Sequence, residues 1–555
     1  MKVHLVFPPV WLTEIPYLSV PILRAYLNQI ANVQTRSLDL NVAFWSHLRS
    51  ESSLAQLLSW ARRKLNDYRV IRSRRDLDAV LRLRAIASYN VESLIAKTHD
   101  GTIPTSVLLS CIKMHFAEDV LGEPVNAPPQ GWQHDRVFHD PYLNSISLSH
   151  LATTSETLLR SLDIGDARNP FLRLMPTLYR HVVGDELPNL LGVSVTAVNQ
   201  VVPALALSKW LRLVKPDCRI VWGGQWVTHV LDRPQELAPL FHVIDAMVAG
   251  EGELPLAKLV TLQIENKDWA NVPNVFRKVG AKVAAPSDWF DNRDLNHLPA
   301  PDFEGIPLDA FDHPHTLPLQ TSRGCSWRHC RFCSYVTLDP VYKTRDIGRV
   351  GDDIQAIVSR HPVREIAFTD AIMEPSRFLA ISDEILSRGI RVTWRGFGRF
   401  DRRFTREDFR RMAEAGCRFI IWGMESGSDR ILNLMRKGTT RAIATANLRD
   451  AALAGIHNRV CLIYGYPSET DEDRELTISL VRENLGAIHS MAFSPLSLER
   501  GTPLTHATEV QLMDGLSPET GLELQLPRTL SCSTLAYLRE TEQRLRHIHL
   551  ELERR

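Results

Sequence analysis

The sequence predicts an α/β protein with two separate sheets. Short apolar runs alternate with amphipathic segments in two blocks, residues 1–270 and 313–502, and this alternation is typical of parallel sheets. A chain of 555 residues is also too long for one hydrophobic core. We therefore expect two α/β domains, joined by a Pro- and Asp-rich linker at 271–312 and followed by a C-terminal helical segment at 503–555.

The first block predicts a doubly wound, Rossmann-like sheet that is interrupted by helices. Its strands are expected at "VHLVF", "LLGVSVT", "RIVWGGQ" and "IDAMVAG", because each is a short apolar run that ends at a loop signal. Residues 46–185 contain helical patterns such as "SLAQLLSWARRKL" and no alternation of strand and helix. We interpret them as a mainly helical insertion.

Three of the predicted strands end in glycine or small polar residues. Ligands of open α/β sheets bind at the carboxyl ends of the strands, and glycine lets a ligand approach the backbone closely. Tight turns alone are the alternative, but three such ends in one sheet favour a ligand. The candidate positions are Ser194, Thr196, Gly223, Gly224, Gly250, Glu251 and Gly252.

The second block predicts a partial (β/α)6 barrel of the TIM type. Six strand candidates occur in order, with amphipathic helices between them. They are "TLPLQTS", "EIAFTD", "VTWRGFGR", "FIIWGME", "VCLIYGYP" and "MAFSPLS". The final segment, "TLAYLRETEQRLRHIHLELERR", is predicted to form one charged amphipathic helix.

Composition and charge exclude several function classes. The 65 basic and 64 acidic residues nearly balance, so no broad basic surface for nucleic acid is expected. No stretch approaches the roughly 20 apolar residues that span a bilayer, and the N-terminus "MKVHLVFPPVW" does not resemble a signal peptide. We expect a cytoplasmic protein, in which clustered cysteines indicate metal or redox chemistry.

Three cysteines, Cys325, Cys330 and Cys333, lie within nine residues in a CxxxxCxxC pattern. A structural zinc ion usually takes four ligands, and His329 is adjacent to Cys330 and cannot easily turn toward the same ion. Three thiolates on a cubane iron–sulfur cluster leave one iron open for another ligand. The spacing therefore favours a 4Fe–4S cluster, with zinc as the alternative.

The segment "TSRGCSWRHCRFCSYV" resembles the signature of radical S-adenosylmethionine (SAM) enzymes, in the subgroup that also carries a cobalamin-binding domain. The family usually has CxxxCxxC, and this chain has one additional residue in the first gap. The resemblance implies that Cys325, Cys330 and Cys333 hold the cluster. It also implies that Phe332 corresponds to the aromatic residue that leans on the SAM adenine.

Three more segments resemble SAM-binding motifs of the same family. "WRGFGRFD" resembles the third barrel strand, "WGMESGSDRILNLMRKGTT" the fourth and "VCLIYGYPSETDED" the fifth. The alternative for the two charged residues is a salt bridge between Glu425 and Arg399 at the barrel rim. The contacts that the resemblance implies are Arg399 with the SAM carboxylate, Glu425 and either Ser426 or Ser428 with the ribose and carboxylate, and the run from Leu462 to Pro467 with the adenine.

The first half of the chain resembles the cobalamin-binding module of the subgroup, through "VHLVFPPVW", "LLGVSVTAVNQ", "VWGGQWVT" and "IDAMVAGEGELPLAKL". The resemblance implies that the strand-end residues named above contact cobalamin. The DxHxxG loop of many cobalamin proteins is replaced by "PPVWLTEIPYLS", which has no histidine. Trp11 or Tyr17 could instead cover the lower face of the cofactor.

The resemblance implies a function that uses a 4Fe–4S cluster, SAM and cobalamin. The first hypothesis is a cobalamin-dependent methyltransferase that acts on an unactivated carbon of a natural product or peptide. The second is a radical SAM enzyme of other chemistry, such as rearrangement or cyclisation, with or without cobalamin. The third is a non-catalytic zinc- or cobalamin-binding module. An electron donor such as a flavodoxin or ferredoxin is the expected partner.

Overall fold

The computed structural model describes residues 1–67, 74–99, 108, 111, 154–162, 169–335, 339, 341–507 and 532–553. Two sheets organise these residues, and each sheet has its own hydrophobic core. The α/β expectation is confirmed. Among the described residues, no helix is both long and apolar enough to cross a membrane.

The first sheet has seven strands in the order β2-β1-β3-β4-β5-β6-β7. The first five run parallel, and β6 and β7 extend the sheet as an antiparallel hairpin. The reversal of strand order beside β1 is typical of doubly wound sheets. The strands are β1 (Lys2–Phe7), β2 (Gln34–Asp39), β3 (Leu190–Ser194), β4 (Arg219–Gly223), β5 (Ala246–Val248), β6 (Val275–Val279) and β7 (Lys282–Ala284).

Two parts of the first sheet differ from the sequence prediction. Strand β2 was not predicted, because its sequence "QTRSLD" contains a single large apolar residue. The hairpin of β6 and β7 lies in the segment that was predicted to be a linker, so the linker assignment for 271–312 is wrong at its start. The sequence "VFRKVGAKVA" has only short apolar stretches around a turn at Gly280, whose φ is +61°.

Helices cover both faces of the first sheet. The regular elements described within the insertion are all helices, as predicted, although the first of them begins at Leu40 and not at residue 46. The helices are α1 (Ser19–Leu27), α2 (Leu40–Leu48), α3 (Glu51–Asp67), α4 (Arg74–Ala87), α5 (Val91–His99), α6 (Ser155–Arg160), α7 (Phe171–Val183), α8 (Val201–Val214), α9 (Gln225–Val230) and α10 (Glu253–Ile264).

The second sheet contains the six predicted barrel strands, all parallel and in chain order from one edge to the other. A short antiparallel pair, β9 (Ser322–Arg323) and β10 (Lys343–Thr344), follows the first of them. The six strands are β8 (Thr316–Leu319), β11 (Glu365–Phe368), β12 (Thr393–Gly398), β13 (Cys417–Glu425), β14 (His457–Tyr464) and β15 (Ser490–Pro495).

The core of the barrel lies between these strands and the helices outside them. Along each strand every second side chain points into this core, as the two-residue period of a strand requires. Trp394 of β12, Ile420 of β13 and Val460 of β14 are examples, and all three are fully buried. The helices are α11 (Ile347–Arg360), α12 (Pro375–Ser387), α13 (Arg406–Glu414), α14 (Asp429–Leu434), α15 (Arg441–Leu453), α16 (Asp471–Glu483) and the predicted C-terminal helix α17 (Cys532–Glu553).

Candidate active site

The three clustered cysteines lie in the loop after β9, at the end of the barrel where its strands finish. Cys325, Cys330 and Cys333 are half-buried and form no disulfide. Burial raises the pKa of the Cys333 thiol to about 12 and also raises that of Cys330, where nearby Lys437 acts in the opposite direction. Such thiols lose their protons to a metal far more readily than to water.

The cysteine loop offers three free thiols as donors for a metal centre. Within the described residues, no three Cys, His, Asp or Glu side chains converge in a way that could hold one ion. Convergence is not required for a cubane, because its three thiolates bind three different irons. The thiols still interact electrostatically with one another, as Cys330 does with Cys325. The three thiols therefore fit a cluster in which each would ligate a different iron.

A buried carboxylate fixes the residues that lead into the cysteine loop. Asp370, just beyond β11, accepts hydrogen bonds from the Thr321 N–H and hydroxyl and from the Ser322 hydroxyl. The Arg377 guanidinium donates to the Thr321 hydroxyl at 2.9 Å and to its carbonyl at 2.7 Å. This double attachment fixes the backbone at Thr321, four residues before Cys325.

The first cysteine gap contains a tryptophan, Trp327, that packs on the turn after α14. The Trp327 indole N–H donates to the Arg436 carbonyl at 2.8 Å. A Cβ added to Gly438 would lie 2.1 Å from the indole, so this close contact requires glycine. The Arg331 N–H also donates to the Met435 carbonyl. The longer loop is thus held against residues 435–438.

Arg399 lies over the same tryptophan. Its guanidinium carbon is 4.3 Å from the centroid of the Trp327 ring, and it donates to the Gly438 carbonyl and to Asp401 at 2.8 Å each. The structure shows no salt bridge between Arg399 and Glu425, so the rim pair raised from the sequence is wrong. Arg399 is nevertheless at the mouth of the barrel, where the SAM motif predicts it.

Glu425 ends β13 and forms a buried ion pair with Lys437. Its Oε1 lies 2.7 Å from the lysine Nζ. Glu425 has a φ of +61° and follows a register irregularity after Gly423, and such a backbone is uncommon for residues other than glycine. Burial lowers the pKa of Lys437, but the facing carboxylate reverses the shift, so its pKa is above the ordinary value. The ion pair lies at the mouth of the barrel, beside the cysteine loop.

Both candidate serines are committed to hydrogen bonds within the protein. The Ser428 hydroxyl donates to Asp473 at 2.5 Å and accepts the N–H of Ile431, which caps α14. The Ser426 hydroxyl pairs with that of Thr477 at 3.1 Å and accepts the Ser428 N–H. Each serine is about 1% exposed. Their geometry explains how the turn after Glu425 keeps its shape.

The run from Leu462 to Pro467 leaves the barrel beside Phe332, but its residues face different sides. The Leu462 side chain is buried in the core between the strands and the outer helices. The next residue, Ile463, packs on the same small apolar cluster as Phe332, and Pro467 is half-buried beyond it. Ile463, which lies within the predicted run, is therefore the residue of β14 that shares an apolar cluster with Phe332.

A cavity of about 960 Å³ lies between the carboxyl ends of the first sheet and the entry to the barrel. Its wall includes Gln320, Ser322, Arg323 and Gly324 from the barrel side. Thr196 does not line it; its N–H bonds to Gln200 instead. The other candidate cobalamin residues all line it: Trp11, Tyr17, Ser194, Gly223, Gly224, Gly250, Glu251 and Gly252.

One wall of the cavity is aromatic. Tyr17 stacks on Phe7 with ring centroids 4.7 Å apart, and Trp11 meets both rings edge-on. The backbone of Trp11 is fixed by Asn41 and by the Trp45 indole. Burial raises the pKa of Tyr17, so its hydroxyl stays neutral. The loop without a histidine thus presents two aromatic rings to the cavity.

A buried ion network crosses from one domain to the other beside this cavity. Arg323, two residues before Cys325, donates to Glu253 at 2.5 Å and lies 3.0 Å from Glu251. Lys343 of β10 lies 2.8 Å from Glu251 and 2.5 Å from Asp291. Glu251 was predicted to contact cobalamin; the structure shows it in this network. The network ties the loop after β5 to the cysteine loop.

The glycines at the strand ends have two different roles. At Gly224, where φ is +104°, an added Cβ would lie 2.5 Å from the Val195 carbonyl oxygen, so this glycine is required by backbone packing. At Gly223 and Gly250 an added Cβ would meet no protein atom nearer than 3.7 Å. These two positions leave open space at the cavity wall, as close approach of a ligand requires.

These features fit the groups that the sequence implied. Three free thiols and a fixed loop suit an iron–sulfur cluster, and the cavity has glycine-lined and aromatic walls suited to a large flat cofactor. Residues 319–481 also match the model of the radical SAM superfamily. The chain carries a radical SAM domain. The family expectation from the cysteine and SAM motifs is therefore confirmed.

Similar proteins extend this likeness beyond the radical SAM domain. The fold matches that of the radical SAM methyltransferase TsrM from Kitasatospora setae, with cobalamin and a 4Fe–4S cluster bound, at a TM-score of 0.55 and 15% identity. The match covers 97% of this chain and 84% of that one. At this identity the match shows a shared fold, with the doubly wound and radical SAM domains together.

Two curated relatives match about half of the chain. An uncharacterised methyltransferase of Pyrococcus horikoshii is 27% identical over 303 residues, which are 53% of this chain and 64% of the relative. An anaerobic magnesium-protoporphyrin IX monomethyl ester cyclase of Rubrivivax gelatinosus is 28% identical over 295 residues, 49% of this chain and 50% of the relative. The chain thus spans between half and two thirds of their length.

Several residues of the site were not found from the sequence. Lys437 lies in the "LMRKGTT" stretch of the fourth-strand segment. A lysine that follows Glu425 within the same segment was a visible candidate for its partner. Trp327 and the pair of Arg323 and Glu253 depend on contacts between distant segments. The chain's sequence gives no local sign of such contacts.

Proposed function

We propose that this protein is a cobalamin-dependent radical SAM methyltransferase that acts on an unactivated carbon of a natural product or peptide. One observation carries the proposal. A single cavity of about 960 Å³ is lined both by the strand ends of the first sheet and by the residues that lead into the cysteine loop. A cofactor in this cavity would lie directly between the sheet and the cluster.

When bound, a 4Fe–4S cluster supplies the electron that cleaves SAM, and cobalamin carries the methyl group. The residues of the chain hold and orient these groups. Cys325, Cys330 and Cys333 would ligate three irons, and the Asp370 and Arg377 attachments keep their loop in place. Glu425, with Lys437 beside it, offers a carboxylate to the two ribose hydroxyls of SAM.

The other side chains of the site complete the binding surfaces. Phe332 and Ile463 form an apolar wall on which the adenine of SAM can rest. Trp11 and Tyr17 cover one face of the cobalamin cavity where other cobalamin proteins place a histidine. Arg399 provides the cation for the carboxylate of SAM. An electron donor such as a flavodoxin or ferredoxin would reduce the cluster in the cytoplasm.

A second candidate is a radical SAM enzyme of other chemistry, and one relative supports it. The Rubrivivax gelatinosus protein is named as a cyclase, and its identity to this chain, 28%, is close to the 27% of the methyltransferase relative. Ring formation by a substrate radical would use the same cysteine loop and the same SAM residues. The two candidates differ in the fate of the methyl group of SAM.

The proposal is tested on protein that is purified without oxygen. We expect about four irons and four sulfides per chain, tightly bound cobalamin, and cleavage of SAM to deoxyadenosine or S-adenosylhomocysteine after reduction. Transfer of a labelled methyl group from SAM to product separates the methyltransferase from the cyclase. Protein that takes up zinc and no iron would contradict both candidates.

Single substitutions provide the matched control. Cys330→Ala should lose SAM cleavage, because a thiolate ligand is removed. Cys461→Ala changes a thiol that is half-buried on β14, near Glu425 but outside the cysteine loop. It should keep its iron and sulfide. Loss of iron in both variants would mean that the cluster ligands are assigned wrongly.

A further inference from the structure

Trp289 stands at the edge of the cavity between the two domains. It lines that cavity and is 66% exposed. Within the described residues it is the one tryptophan more than a third exposed. Indole rings contribute large apolar areas and are usually buried where no ligand needs them. An exposed indole at the edge of a cavity therefore indicates a ligand that covers it.

The backbone that carries this tryptophan is fixed. Asn274, 2% exposed, donates through its side-chain amide to the Phe290 carbonyl at 2.8 Å and accepts the Phe290 N–H at 2.7 Å. The Asn274 N–H also bonds to the Asp288 carbonyl at 3.2 Å. Trp289 thus lies between two anchored residues, and its exposure is a property of an ordered segment.

The segment that carries the indole lies beside the strand end at Gly250. The Asn274 amide nitrogen that anchors this segment lies 3.8 Å from the position that a Cβ would take on Gly250. The one ring contact of Trp289 within the described residues is edge-to-face, with Phe276 at 5.9 Å and 66°. An edge contact leaves the flat face of the indole available for stacking.

We propose that Trp289 stacks on the aromatic base at the nucleotide end of cobalamin. The inference rests on the proposed function, because it assumes that cobalamin occupies the cavity. The corrin ring must approach the cysteine loop and SAM, which leaves the base for the wall formed by the first sheet. On that wall Gly223 and Gly250 provide space, and Trp289 provides a flat apolar surface.

The test compares two ligands that differ at the nucleotide end, since in the second a cyanide replaces the base as lower ligand of cobalt. Cyanocobalamin carries the base, and dicyanocobinamide is the corrin without the nucleotide. The dissociation constants of both are measured by calorimetry with the full-length wild-type protein and with Trp289→Ala. Stacking of a base on an aromatic residue predicts that Trp289→Ala binds cobalamin roughly 5- to 100-fold more weakly. Its affinity for cobinamide should equal that of wild type.

Two further variants complete the design. Trp289→Phe keeps a flat ring and should retain most of the affinity for cobalamin. Val279→Ala removes an apolar side chain of β6 that is 50% exposed and does not line the cavity, so it should bind both ligands as wild type does. Circular dichroism and the unfolding temperature verify that each variant is folded.

Each other outcome has a distinct meaning. Equal loss of affinity for both ligands in Trp289→Ala would overturn the inference, since the indole would then contact the corrin. Unchanged affinity for both would overturn it as well and would leave the substrate as the partner of Trp289. If wild type binds neither ligand, the proposed use of cobalamin fails and the inference fails with it.

Discussion

Glu425 and Lys437 form a buried ion pair with 2.7 Å between Oε1 and Nζ, at the carboxyl end of the fourth barrel strand. A Cβ added to Gly423, two residues before Glu425, would lie 2.7 Å from both the Glu425 Oε1 and the Lys437 Nζ. The absence of a side chain at Gly423 therefore leaves the space that the two charged side chains occupy. It occupies the end of the barrel where such folds place their active sites.

The first prediction concerns the carboxylate of this pair. Glu425→Ala should weaken SAM binding by roughly tenfold or more, because hydrogen bonds to a charged group contribute about 1.5–3 kcal/mol each. Glu425→Gln should cost less, since one acceptor remains. Affinity is measured by calorimetry with the cluster present, and the cluster spectrum should stay unchanged.

A double variant separates ligand binding from stability. Removal of Glu425 alone leaves a buried lysine without its partner, which typically costs about 3–5 kcal/mol. In Glu425→Leu with Lys437→Met both charges are gone, so stability should recover while SAM affinity stays low. Recovery of SAM affinity together with stability would show that Glu425 acts only through the fold.

The second prediction concerns the two adjacent glycines after β4. Gly224→Ala should destabilise the first domain by about 2 kcal/mol or more, because its Cβ meets the Val195 backbone. Gly223→Ala should leave the unfolding temperature unchanged and weaken cobalamin binding roughly tenfold, since the added methyl enters the cavity. The unfolding temperature and the cobalamin titration are measured on both. Equal stability of the two variants would contradict the packing argument.

The sequence predicted the fold wherever elements have strong apolar patterns. All six barrel strands were found, because each has an apolar core-facing series that persists between helices. Strand β2 and the hairpin of β6 and β7 were not found. Their polar sequences become strands only because a neighbouring strand supplies hydrogen bonds, and a single segment does not show its neighbours.

The candidate site was predictable to the extent that a motif fixes its residues in one segment. The cysteines, Glu425 and the strand-end glycines are of this kind. The partner of Glu425 was not, because the choice between Arg399 and Lys437 depends on the turn of the backbone at Glu425. The distinction between Leu462 and Ile463 likewise depends on which face of β14 meets the core.

The third prediction concerns the ion network between the domains. Arg323→Gln leaves the Glu251 and Glu253 carboxylates with one cation fewer in a buried site, where a broken pair costs about 3–5 kcal/mol. The unfolding temperature should fall clearly. Adding Glu253→Gln should restore part of it. Arg388→Gln, in a more exposed network on the barrel helices, should change stability by about 1 kcal/mol or less.

The last prediction is a dependence of stability on pH that originates at Glu469. Its side chain accepts the Gly465 N–H and so closes the turn that follows β14. Burial raises the pKa of Glu469 to about 7, whereas an unfolded glutamate has a pKa of about 4.3. Between these two values the folded protein binds more protons than the unfolded chain. Its stability should therefore decrease as the pH rises from about 4.3 to 7.

Glu469→Gln removes this titration and keeps an acceptor for the Gly465 N–H. The variant should be more stable than wild type at pH 8, and its unfolding temperature should vary less between pH 5 and pH 8. Glu472→Gln changes an exposed carboxylate of the following helix and should keep the wild-type profile. Because Gly465 lies within the run predicted to contact adenine, SAM affinity should show the same pH dependence in wild type and lose it in Glu469→Gln. The outcome that contradicts the prediction is an unfolding temperature of Glu469→Gln that varies with pH as that of wild type does. The Glu469 carboxylate would then stay ionised in the folded protein, with no effect on the free energy of unfolding.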